Sequence, residues 1–425
     1  MTTISTVGTY LPRWGTDRAR AAGPDEDAVT LGVAAGQAAL ADVDPAAVRR
    51  VVFLTRELPL LEGGNGAPLL AGLGLAPDVQ VVEQVGGAPA VLDALADASA
   101  GTLVVAADVE PAGAAAAFVG DTGADLTLES RVVRSLPVRA RSGDGVVRDY
   151  EDPRLLRERG VGLAVERLDL AAKPDVVAGL PAKQAAALAG GRPPALPTTG
   201  ASSTLFALAA LAESAPQGLL LAVEQGSATA ATVVGSPTVH RDEPAPRPAP
   251  AYTWTSGPDI SISLPAYERA FEPKLRWEAG TCGECGTLAF PPRRRCLACG
   301  SEAGWTLTPL PRSGEVYSTV TIHVPVPGLP TPYSLAIVEL DRGVETRALV
   351  KVTGAVPGTV QIGDRGRLVL RRVAVRSGVP DYGYGFLPDD PGSPDDAAQT
   401  TTEGIVETGV TVASVAPQQE KETAR

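Results

Sequence analysis

Two residue types that carry much of enzyme chemistry are nearly missing from this chain of 425 residues. It has four cysteines, all between Cys282 and Cys299, and two histidines, His240 and His323. Residues 1–239 hold neither. That stretch has no Cys–His nucleophile pair, no Ser–His–acid triad, and neither of the two best zinc ligands. Aromatic residues make up 4% of the chain, few for the stacking platforms that hold single-stranded nucleic acid. Positive charge is in deficit: 37 Lys and Arg stand against 49 Asp and Glu, a formal net charge of −12. Such a chain is a poor generic binder of nucleic acid or of an anionic membrane. No apolar run reaches the roughly 18–20 residues of a membrane helix. Met1–Gly8 has no basic segment leading into an apolar one, so no signal peptide is expected and a cytoplasmic location is.

What is present suffices for real cores. Hydrophobic residues make up 44%, and the length exceeds the roughly 250–300 residues at which one core stops growing. Two or three units are expected. Composition shifts at Arg241–Pro250, where four prolines in ten residues make a stiff, extended connection. The expected organisation is a first domain over 1–239, a proline-rich linker over 240–261, a helix and cysteine cluster over 262–305, a small β domain over 306–388, and a polar, largely disordered tail over 389–425. Within the tail, Gly404–Ala413 has a strand-like pattern.

Region 1–239 alternates strands and helices. Val51–Thr55, Val79–Glu83 and Thr102–Ala107 are short β-branched or continuous apolar runs. Between them, Ala28–Leu40 and Pro89–Ala96 carry helical apolar spacing, and Asp25, Glu26 and Asp27 stand where a helix start favours negative charge. The rhythm repeats with a strand at Asp175–Ala178, helices at Ala182–Leu188 and Gly200–Glu213, and a strand at Gly218–Val223. The pattern predicts a layered α/β fold. Region 306–377 differs. Gly314–Val324, Tyr333–Leu340, Thr346–Val352 and Arg367–Ala374 alternate at period two between Gly- and Pro-bearing turns, which predicts a small β-barrel.

The cysteines fall as Cys282-x2-Cys285-x10-Cys296-x2-Cys299. Two such knuckles place four thiolates around one tetrahedral Zn²⁺ and leave no open position, so a structural metal is expected. A disulfide pair or a redox Cys-x2-Cys is the competing reading, disfavoured by the expected compartment. Gly286 and Gly300 follow the knuckles, where a tight turn requires positive φ. Arg293, Arg294 and Arg295 lie inside the cluster. They read as a solvated loop, as a cationic clamp for a phosphate-bearing ligand such as coenzyme A, or as a nucleic-acid contact. Ser202 and Ser203 sit near a helix start and are expected to be hydroxyl caps. Glu62 reads as a turn residue or an acid/base, Gly72-Leu-Gly74 as a weak nucleotide signal, and His323 as a surface or packing residue.

Tyr10-Leu-Pro-Arg13, Gly23–Thr30 and Leu58–Gly66 resemble the amino-terminal half of hydroxymethylglutaryl-CoA synthases, in the thiolase superfamily. Thr198–Ser203 and Gly218–Ser227 resemble their carboxy-terminal part. The resemblance spans about residues 3–235. It implies a five-layered αβαβα thiolase-like fold that dimerises and handles acyl-CoA. The family's nucleophilic cysteine stands at the start of a buried helix; Gly86 or Gly87 occupies that place here. Gly179 stands for the family's catalytic histidine and Thr198 for its asparagine. All three catalytic positions are emptied.

Tyr267–Phe271, Trp277, the cysteine cluster with Phe290-Pro-Pro292, Gly314–Ser318 and Asp381–Phe386 come in an order that resembles the zinc-ribbon/OB-fold accessory proteins of thiolases. That resemblance implies a non-catalytic partner that docks on an active thiolase-type subunit and shapes its acyl-CoA entrance. Three functions stay open: a scaffold, homodimeric through the thiolase-like domain, within such a complex; an acyl-CoA transferase, synthase or aldolase with unusual catalytic residues; and a single-strand nucleic-acid-binding OB module.

Overall fold

The computed structural model describes residues 1–134, 136, 139–141, 146–150, 152–255, 271–302, 304–325, 327–341, 346–376 and 379–390. The segment 267–270, the strand pattern at 404–413 and the tail beyond residue 390 lie outside them.

Strand β1 (Thr2–Tyr10) is the hub of the first region. The hairpin of β2 (Trp14–Thr16) and β3 (Ala19–Ala21) leads to helix α1 (Ala28–Ala39). The acids before α1 start it as expected. Asp27 accepts from the Thr30 amide at 3.0 Å, and the Thr30 hydroxyl accepts from the Asp27 amide at 2.8 Å, a reciprocal cap. Then follow β4 (Arg50–Thr55), α2 (Gly66–Leu73), β5 (Gln80–Val85), α3 (Ala88–Ala96), β6 (Thr102–Val109), β7 (Ala112–Val119) and β8 (Ala124–Val132). A small hairpin of β9 (Arg139–Arg141) and β10 (Val147–Asp149) precedes α4 (Pro153–Arg159) and α5 (Val161–Leu168). Next come β11 (Val176–Ala178), α6 (Ala182–Leu188), α7 (Ser203–Ser214), β12 (Gln217–Glu224), β13 (Ser227–Val234) and β14 (Thr238–Asp242).

The strands join in the order β11-β12-β13-β8-β1-β7-β6-β4-β5, with β14 parallel to β1. Side-chain alternation divides each strand between two cores. Val51, Phe53 and Val105 pack on α1 and α2, whereas Val52, Leu54 and Val104 pack on α3 and α7. In the other half of the sheet, Val176, Leu220 and Ala222 face α3 and α7, whereas Val177, Leu221 and Val223 face α5 and α6. The layers are therefore helix, sheet, helix, sheet, helix: the thiolase-like αβαβα arrangement. The two sheet halves also share hydrogen bonds through β8 and β1.

After a helical turn at 271–276, strands β15 (Glu278–Cys282), β16 (Leu288–Ala289) and β17 (Trp305–Pro309) form a three-stranded antiparallel sheet around the cysteines. Strands β18 (Ser313–Ile322), β19 (Tyr333–Leu340), β20 (Arg347–Val352), β21 (Arg365–Arg376) and β22 (Val379–Pro388) close into the OB-fold barrel. The sequence pattern gave four of these strands. The fifth, β22, is the aromatic motif itself: Tyr382, Tyr384 and Phe386 are buried, and β22 joins β20 in parallel to β21 in antiparallel.

One core runs from α1 and α2 straight into the barrel. Arg371 of β21 is ion-paired with Glu26 at 3.1 Å, both side chains at most 5% exposed. The Tyr10 hydroxyl donates to Glu26 at 2.7 Å and that of Tyr382 to Asp27 at 2.8 Å. Arg312 donates to the carbonyls of Gly72 and Ala71 at the end of α2. Gly72 and Gly74 thus serve helix packing and helix termination, not a nucleotide. The proline-bearing connection runs extended and is tied down: Arg247 exchanges backbone hydrogen bonds with Arg13 and Gly15, and Thr253 with Thr331. Among the described residues, no helix is long and apolar enough to cross a membrane.

Candidate metal centre and emptied catalytic positions

The sulfur atoms of Cys282, Cys285, Cys296 and Cys299 lie within 4.8 Å of one another. Cys282 and Cys299 are 3.8 Å apart, and Cys285 and Cys296 are 3.6 Å apart. A tetrahedron with metal–sulfur bonds of about 2.3 Å has edges of about 3.8 Å. The donor set and its spacing fit one zinc ion, and the four thiols are free of disulfides. The two knuckles repeat each other. Gly286 donates to the Cys282 carbonyl at 2.9 Å and Gly300 to the Cys296 carbonyl at 3.0 Å, both with positive φ. The Cys285 thiol is pulled down to about 6, chiefly by the Thr287 hydroxyl 3.1 Å away, which favours the thiolate that binds metal. Arg293, Arg294 and Arg295 are all exposed. Arg295 spends its Nε on the Gly300 carbonyl at 2.9 Å and braces the second knuckle.

Gly87, Gly179 and Thr198, which the resemblance sets at catalytic positions, lie near where the two inner helices begin. Gly87 caps α3, and a Cβ placed there would land on the Glu224 carboxylate. Arg56 holds that carboxylate through Nε at 2.7 Å and Nη2 at 2.6 Å. The space over the helix start is therefore filled by an ion pair from β4's end and β12's end. Gly179 has φ +90°, and a Cβ on it would collide with the Val223 carbonyl, so no side chain of any kind fits. Thr198 is fully buried, its hydroxyl 2.8 Å from that of Ser202.

Ser202 and Ser203 do not cap α7 with their hydroxyls. Asp108 takes that role from across the fold, accepting from the amides of Ala201 at 2.8 Å and Ser202 at 2.9 Å. The Ser202 hydroxyl donates to Asp108 at 2.6 Å, and that of Ser203 to the Gly200 carbonyl at 2.6 Å. Burial pushes the Asp108 carboxyl up, against the pull of the Ser202 and Ala201 donors and of the Arg56 charge. Neither serine reaches solvent, and the Asp108 carboxylate that accepts from Ser202 is already engaged by the Ala201 and Ser202 amides. Glu62 is exposed on the loop before α2 and takes no part. His323 is exposed past the end of β18. His240 lies on β14, 3.1 Å from Asp42.

Arg56, Asp108 and Glu224 are the functional-site residues that sequence reasoning missed. Their signal was present: Asp108 and Glu224 each follow a run of apolar residues at the far end of a strand. Beside this crevice a cavity of about 590 Å³ is lined by Val161, Leu180, Gln184, Leu188 and Gln225 among others, none ionisable among the described residues.

A thiolase-like layered body carrying a four-cysteine ribbon and an OB barrel is the class these features define. The chain belongs to the DUF35 family. Residues 307–371 match the family model "ChsH2, C-terminal OB-fold domain". A "DUF35 domain-containing scaffold protein" of Methanocaldococcus jannaschii is 33% identical over 111 residues, 25% of this chain and 77% of that protein. The "Benzoylsuccinyl-CoA thiolase subunit BbsA" of Thauera aromatica is 33% identical over 130 residues, 30% of this chain and 84% of that subunit. For the layered region, the crystal structure of the hydroxymethylglutaryl synthase of the curacin biosynthetic pathway is similar at 13% identity. It covers 55% of this chain and 79% of that one, with a TM-score of 0.44.

Proposed function

We propose that this chain is a non-catalytic scaffold subunit that assembles with an active thiolase-type enzyme acting on acyl-CoA. The observation that carries the reading is the Arg56–Glu224 ion pair seated over Gly87. A nucleophile there would need both a side chain and the space that Glu224 fills. The names of the two relatives, a scaffold protein and a thiolase subunit, support the same direction.

The barrel's inner side rests on its own α1 and α2, so the partner enzyme meets the free side, where Tyr317, Val320 and Leu349 are 50%, 52% and 69% exposed. The ribbon tip adds Leu297, 78% exposed, beside Arg293 and Arg294. Arg293 and Arg294 hold the phosphates of the coenzyme A thioester at the shared entrance, with Arg295 as their brace. The layered region pairs with a second copy through β5. That strand is an open edge with Val85 62% exposed and no proline or lysine to guard it. The complex works in the cytoplasm.

Affinity capture of the tagged chain from its native extract tests this. A thiolase-type subunit with its own cysteine and histidine, recovered at one-to-one stoichiometry, is the expected result. A chain that comes out alone and turns over acyl-CoA at enzymic rates overturns it.

A further inference from the structure

Where the barrel meets the layered region, Trp14, Asp25, Tyr252, Tyr333 and Lys351 surround a small cavity of about 20 Å³ that continues to solvent, room for about one water molecule. Its polar groups are poorly matched. Asp25 is 8% exposed, yet among the described residues its carboxylate makes no hydrogen bond or ion pair. Lys351 is half-buried with no carboxylate within 4.0 Å among the described residues, and its Nζ sits 5.4 Å from the Tyr333 ring centre. The other lysines differ. Lys173 and Lys183 are exposed, Lys274 is paired with Asp381 at 3.2 Å, and Lys421 lies outside the described residues.

We propose that Lys351 is an acylation site, its ε-amine taking the acyl group of a thioester such as acetyl-CoA. The ammonium first gives its proton to water at the cavity mouth. The free amine attacks the thioester carbonyl, an amide forms, the carbon–sulfur bond breaks, and the thiolate leaves and is protonated. Two features favour this lysine. No carboxylate contact clamps the ammonium, and aromatic walls remove water from it. Burial lowers its pKa, while Asp25 across the cavity raises it; Tyr252 and Tyr333 are the other titratable groups on the walls. The product amide is neutral and has no charge to desolvate against Trp14, Tyr252 and Tyr333, at the cost of the ammonium's contact with the Tyr333 ring face. The source of the acyl group rests on the acyl-CoA reading above; the reactivity of the amine does not.

The purified full chain is incubated with acetyl-CoA from neutral pH to about pH 10, and each lysine is followed by peptide mass spectrometry. Lys351 is expected to be acetylated several-fold faster than Lys173 and Lys183 at neutral pH, with a rate midpoint at lower pH than theirs. Asp25→Asn removes the one charge that favours the ammonium, so it should move the Lys351 midpoint further down and raise its neutral-pH rate. Lys351 labelling no faster than the exposed lysines overturns the proposal, as does an Asp25→Asn profile that coincides with the natural one. Neither outcome bears on whether a thiolase-type subunit is captured.

Discussion

The crevice at the start of α3 and the ribbon at Cys282–Cys299 have fared in opposite ways. In the crevice, Gly87 and Gly179 have no room for a side chain, and an ion pair fills the opening. The ribbon keeps all four of its ligands at metal-binding spacing. A fold can shed its chemistry and stay whole, because Phe53, Leu54 and their neighbours hold the layers regardless of what the crevice contains. The ribbon adds only Ala279, with Leu288 and Phe290 at the edge, to the shared core, so a metal held by its four thiolates would carry much of its stability.

The largest effect sharpens that contrast. Structural zinc contributes about 10–16 kcal/mol in small metal-held peptides. Cys296→Ser, or a strong chelator, should abolish the one zinc per chain and the fold of the ribbon while the layered core survives. Elemental analysis and hydrogen exchange across 278–309 read both. Next comes the seam between the two regions. Glu26→Gln or Arg371→Met leaves a buried partner alone, which costs about 3–5 kcal/mol; a matching fall in the urea midpoint is expected.

The crevice itself gives a smaller change. Gly87→Cys should destabilise by about 1–3 kcal/mol through its clash with Glu224. Adding Glu224→Ala should recover part of that loss, and alkylation of the new thiol would report the opened space. Gly87→Cys with no loss of stability would break the account of a filled crevice.

The smallest effect is one of pH. Burial raises the Asp108 carboxyl, so the folded chain takes up this proton at a higher pH than the unfolded chain does. Starting near the usual carboxylate value of about 4, stability should fall as pH rises toward the folded value and stay lowered above it. The slope of the urea midpoint against pH should lose this component in Asp108→Asn.

Much of the fold was legible because local pattern and burial agreed. The helix Ala182–Leu188 and the strand Tyr333–Leu340 match their elements residue for residue, and α1 differs at one end only. Strand β7 was not, since Ala112–Val119 is mostly alanine, a weak strand former that the sheet accepts because both its faces are buried. Strand β22 was hidden for another reason: its glycines and tyrosines read as a motif, and pairing with β21 along its length and with β20 at its end makes it a strand. The four-cysteine cluster was legible from spacing alone. The filling of the crevice was not, because Arg56 and Glu224 are 168 residues apart and meet only in the folded chain. The serine hydroxyls were misassigned as caps for the same reason: Asp108, 94 residues from Ser202, supplies the acceptor.

The continuous core between α1, α2 and the barrel has a consequence for assembly. Two separate chains joined by this face would need to find each other by diffusion, and their pairing would weaken on dilution. A covalent connection replaces that encounter with an effective concentration of the order of millimolar, independent of how much protein the cell makes. Ribbon and layered body are thereby delivered in equal number and in fixed orientation, however scarce the chain. Dilution can separate it from a partner enzyme but not from its own barrel.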